Sequence, residues 1–114
     1  MKEKKLHYRA KYKKYIGEIP YNYHIHHINE NHNDDRLINL IAIPATLHGK
    51  YHFHKNSIGE LKVKEVVEYG NYYVSQVTEY YNVYNEIQKI QENMLCEIFN
   101  KNRGLYYNIL NGYL

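Results

Sequence analysis

Hydrophobic and polar positions divide the 114-residue chain into three regimes. Residues 1–16 (MKEKKLHYRAKYKKYI) read as a basic helix or arm, and Gly17-Glu18-Ile19-Pro20 breaks it with a turn into an extended segment. Tyr21-Asn22-Tyr23-His24-Ile25-His26-His27-Ile28 is β-rich and short enough for a strand. Asn29 to Asp35 (NENHNDD) is a loop of turn formers, and the apolar, β-branched Leu37 to Ile43 predicts a second strand pairing back on the first. Pro44 stands where a helix can begin, and Ala45 to Lys55 can form a turn or more of it.

From Glu60 onward the period changes again. Leu61, Val66 and Val67 suit a short helix that stops at Gly70-Asn71. Val77, Tyr80, Tyr84, Ile87, Ile90 or Gln91, Met94 and Ile98 recur at three-to-four spacing, which predicts a long amphipathic helix from about Gln76 to Asn100. The expected fold class is α+β: a hairpin and helix followed by a mainly helical C-terminal part. Residues 1–57 would form the first part and 58–114 a helical extension, packed with it as one domain or used for homodimerisation. A chain of this length is expected to bury one core.

Composition narrows the class. Hydrophobic residues make up 44%, but 15 of them are Tyr, whose hydroxyls place much of that surface at rims and grooves. No apolar run approaches the ~18 residues of a membrane span, and the Lys-rich start lacks a signal peptide's apolar stretch. The lone Cys96 excludes an intramolecular disulfide framework and a Cys-rich zinc knuckle. A soluble, cytoplasmic protein without a membrane partner is expected. Abundant Lys, Asn, Ile and Tyr share AT-rich codons, which fits an AT-rich genome such as that of many phages.

The net charge of +3 is unevenly spread. Lys2, Lys4, Lys5, Arg9, Lys11, Lys13 and Lys14 face only Glu3 in residues 1–14, whereas residues 58–100 carry seven Glu against three Lys. A polyphosphate is the natural partner of such an arm, and a solubilising tail is the plainer alternative.

Histidine carries the most information. Seven of eight His lie between positions 24 and 54. His48 and His52, four apart, share a helix face, and His26 converges on them if the helix packs against the first strand. Imidazole is the commonest transition-metal ligand, and three protein ligands leave an open position for water or substrate. His27, adjacent but pointing elsewhere on an extended backbone, suits a general base. Asn39 could fix the loop or orient His27 by hydrogen bonding. His7, His32 and His54 read as solvated, and His24 as packed beside the site.

Ile25-His26-His27-Ile28-Asn29-Glu30-Asn31, Asp34-Asp35-Arg36-Leu37-Ile38-Asn39-Leu40 and Leu47-His48-Gly49-Lys50-Tyr51-His52 together resemble the His-Asn-His (HNH) endonuclease motif. The version in phage and intron-associated homing endonucleases is the most similar, and the spacing from Asn39 through His48 to His52 also matches colicin-type nucleases. The resemblance implies a ββα-metal hairpin-plus-helix. In it His26 and His48 would bind the metal, and His52 would be a third ligand or a contact to the scissile phosphate. His27 would be the general base and Asn39 the brace of its loop. Asn29-Glu30 stands where Asp-Gly is usual, and Asp34-Asp35 where Asn-Asn is frequent.

The reading that follows is a metal-dependent DNA endonuclease or nickase, of phage or mobile-element origin. Lys4, Lys5, Arg9, Lys11, Lys13, Lys14, Arg36 and Lys50 are the candidate DNA contacts. The cofactor is one divalent ion, Mg2+ or Mn2+ for turnover, with Zn2+ or Ni2+ binding also compatible with three imidazoles. A weakly specific nuclease and a non-catalytic binding module with a structural metal site are the alternatives.

Overall fold

Alternation along Tyr23–His27 builds strand β1, and its partner β2 spans Leu40–Pro44. The computed structural model describes residues 8–59 and 70–114, without the side chains of 59, 70–74 and 76. The helix expected at Leu61–Val67, with Lys4 and Lys5, lies outside the described residues. The strands pair antiparallel, with His24 opposite Ile43, His26 opposite Ile41 and His27 opposite Leu40. Because side chains alternate across a strand, His24 and His26 share one face with Ile41 and Ile43. Ile25 and His27 take the other face with Leu40 and Ala42.

Helix α1 (Tyr8–Tyr15) precedes the hairpin, and Gly17 turns the chain at φ +149°, a conformation that favours glycine. The segment Leu37–Asn39, expected as strand, is instead a 3-10 turn. There the Asn39 side chain is turned back into the loop, where it bonds Asn29 and Asp34. Helix α2 (Ala45–Gly59) starts directly after Pro44 and runs past the expected Lys55. Helix α3 (Gly70–Lys101) begins at Gly70, ahead of the Gln76 expected for the long helix. A glycine at the first helical position bears little of the cost it carries in a helix interior. Helix α4 (Arg103–Leu110) follows, its first turn capped by the Asn102 side chain accepting from Leu105 N–H at 3.0 Å.

Two apolar clusters flank the hairpin. Tyr12, Ile25, Leu37 and Leu40 pack with Ile98 and Ile109 on one side. Ile41, Ile43, Leu47 and Tyr51 pack with Val83 and Ile87 on the other. The apolar stripe of α3 is therefore used on the hairpin and α2. A two-stranded hairpin alone is marginal in water, so these helices hold it in shape. Among the described residues no helix is long and apolar enough to cross a membrane.

Candidate active site

The first face of the hairpin meets α2 through His26. Its ring lies 5.2 Å from that of His48, 4.7 Å from Tyr51 and 6.1 Å from His52. One ring nitrogen from each of His26, His48 and His52 lies within 4.8 Å of the others. His48 Nε2 and His52 Nε2 are 3.0 Å apart. Two imidazole nitrogens bound at ~2.0–2.1 Å to one tetrahedral or octahedral ion are separated by about 2.9–3.4 Å, so His48 and His52 stand at the spacing of two ligands on one divalent ion, with His26 within 4.8 Å as a third. Opposite, His48 Nδ1 lies 3.0 Å from His24 Nδ1, so one ring can donate to the other. The outer nitrogen of His48 thus has a hydrogen-bond partner, as metal-bound imidazoles commonly do.

Burial, followed by the neighbouring rings of His48 and His52, pushes the His26 imidazole down to about 4. Burial and His52 lower His48 in the same direction. Both rings are thus neutral near pH 7, the form that binds a metal. His26 is 3% exposed. Its folded value lies below the ordinary 6.5, so its contribution to stability is complete above that pH and is lost as pH falls toward 4. The metal-free protein should lose about 2–3 kcal/mol on this account. Thermal melts in EDTA from pH 7 to 4.5 test this: His26→Gln should flatten the dependence, and an unchanged slope would contradict it.

His27 points to the other hairpin face and is 4% exposed. Its Nε2 lies 2.8 Å from Asp35 Oδ1. The Tyr8 ring meets its ring edge-on at 5.0 Å, and His32 lies at 4.9 Å. Sitting at the strand end, His27 still lines the same cavity as His26, His48 and His52, about 250 Å³ in volume and also bordered by Arg9 and Glu30.

Asn39 touches the loop rather than His27. Its Oδ1 accepts from Asn29 N–H and its Nδ2 donates to Asp34 carbonyl O, both at 2.8 Å. The two ends of the loop are tied through one side chain. Arg36 clamps Asp34 with Nε–Oδ1 and Nη2–Oδ2 bonds of 2.8 Å each, and these hold the Asp34 carboxyl well below the usual range. Lys11 Nζ donates to the Asp35 carbonyl at 2.9 Å.

Of the expected DNA contacts, Arg9 reaches the cavity, whereas Lys11 and Arg36 have these intramolecular partners. Lys13 and Lys14 are exposed on α1. Lys50 is exposed on α2, two residues beyond His48 and thus turned away from the row His48, His52.

Sequence reasoning noted Glu30 as a departure from the usual Asp-Gly but gave it no role. It adopts φ +63°, the left-handed conformation that suits the glycine usual at this place. Its carboxylate accepts from Tyr51 Oη and Lys55 Nζ. Burial raises its pKa, but these two hydrogen bonds outweigh it and the net shift is downward. Tyr51 and Lys55 follow His48 by three and seven residues, so helical spacing was the signal that could have found them.

The strand pair and crossing helix form a ββα unit that gathers three imidazoles able to hold one ion, beside a fourth. Residues 4–50 match a family described as HNH endonuclease. None of the curated proteins and none of the solved structures compared matches the chain.

Proposed function

We propose that the protein is a metal-dependent DNA endonuclease or nickase of phage or mobile-element origin. The observation that carries this reading is the convergence of His26, His48 and His52 beside His27 in one cavity. A divalent ion held by the three imidazoles would supply stabilisation of the negative charge that develops as a phosphodiester is cleaved. His27 takes a proton from the attacking water. Asn39 keeps the loop that frames His27 closed, and Arg9 offers a cation to a phosphate at the cavity's edge. Lys13 and Lys14 extend the positive charge along α1, and Lys4 and Lys5 along the arm before it. Contacts of this kind fix position on the duplex without reading sequence.

The charge on the rest of the chain favours weak sequence specificity as a second reading. Helix α3 carries four Glu against two Lys, an unfavourable surface for a DNA groove.

Cleavage of supercoiled plasmid in EDTA and with added Mg2+, Mn2+, Zn2+ or Ni2+ tests the proposal. Conversion to nicked or linear DNA should require a divalent ion. Salt-sensitive DNA binding without cleavage under any ion would favour a binding module instead.

A further inference from the structure

We infer that Asp35 is the positioning residue of this centre: its carboxylate fixes His27 as the Nε2–H tautomer, leaving Nδ1 to take the proton from water. The inference rests on the nuclease reading of the site. It starts from the 2.8 Å contact between His27 Nε2 and Asp35 Oδ1. A carboxylate accepts hydrogen bonds and cannot donate them, so the nitrogen facing it must carry the hydrogen. A neutral imidazole has one N–H. The other nitrogen, Nδ1, therefore holds the lone pair. Proton transfer then breaks a water O–H bond and forms Nδ1–H, and the resulting imidazolium stays beside an opposite charge.

Asp35 is itself held from several directions. Lys11 of α1 donates to its carbonyl, and its neighbour Asp34 is clamped by Arg36 through the carboxylate and by Asn39 through the carbonyl. On the ring side, Tyr8 and His32 enclose the imidazole. These contacts restrict both partners of the bond. Asn39, by contrast, bonds Asn29 and Asp34, so its influence on His27 passes through the loop and then through Asp35.

Two-bond 1H–15N correlation spectra of the 15N-histidine-labelled, metal-free full chain test the inference, together with steady-state cleavage. Wild-type His27 should show protonated Nε2 and bare Nδ1. Asp35→Ala should populate both tautomers and lower kcat by about 10²-fold with KM for DNA unchanged. Asp35→Asn keeps the shape of the side chain and controls for packing. Its amide can donate to Nε2, so the Nδ1–H tautomer should appear and kcat fall similarly.

A wild-type His27 protonated at Nδ1 overturns the inference. So does an Asp35→Asn protein with unaltered tautomer and kcat. If the wild type cleaves no DNA with any ion, the nuclease reading fails separately. In that event the spectra alone decide whether Asp35 sets the tautomer.

Discussion

His27→Ala should slow plasmid cleavage by about 10²- to 10⁴-fold, the usual contribution of a positioned general base. His27 lies on the hairpin face opposite to the three clustered imidazoles, although it lines the same cavity. Its removal should therefore leave ion affinity within a small factor and leave DNA binding intact. Raising the ion concentration should not restore the rate, because no ligand is missing. Calorimetric titration with Mn2+ or Zn2+ beside the cleavage assay separates these outcomes. A His27→Ala protein that cuts as fast as wild type would remove the general-base role.

His48→Ala should behave in the opposite way. His48 stands between His24 and His52, with a ring nitrogen 3.0 Å from each. Its loss removes one donor of three and separates the other two from the His24 contact. Ion affinity should fall by more than about 100-fold, since loss of an outer-shell partner alone commonly costs 10- to 100-fold. Cleavage should fall with it and recover in part at high ion concentration. That recovery, absent in His27→Ala, distinguishes a lost ligand from a lost base. Unchanged affinity in His48→Ala would exclude it from the ion site.

The residues that could be located from spacing alone are those whose distance is set along one element. Four residues of helix bring His48 and His52 together, and the tandem His26-His27 on a strand sends adjacent rings to opposite faces. The ββα order was legible for the same reason. Asp35 was not, because its partner lies eight positions away across a loop of irregular backbone. The register offered a clue: His27 pairs with Leu40, and the loop must return to that point. Asp34-Asp35 read only as a departure from the frequent Asn-Asn pair. In the fold Asp34 pairs with Arg36 and Asp35 with His27. The strand expected from Leu37 yielded to a 3-10 turn because Asn39 bonds both ends of the loop, a demand that hydropathy does not record. Glu30 showed only as a departure from the usual Asp-Gly; its partners Tyr51 and Lys55 lie 21 and 25 positions away, across the second strand.

The cluster of Ile41, Ile43, Leu47 and Tyr51 against Val83 and Ile87 bears on how the protein would handle its ion. In small zinc modules the ion replaces a core, and chelation unfolds them. Here the strand and helix that present the imidazoles are fastened to each other by buried hydrocarbon. An ion held there would be an exchangeable part, to be stripped and reloaded without refolding the protein. Which ion such a site would carry in a cell would then follow from competition among those in supply, in the order of their intrinsic affinity for imidazole.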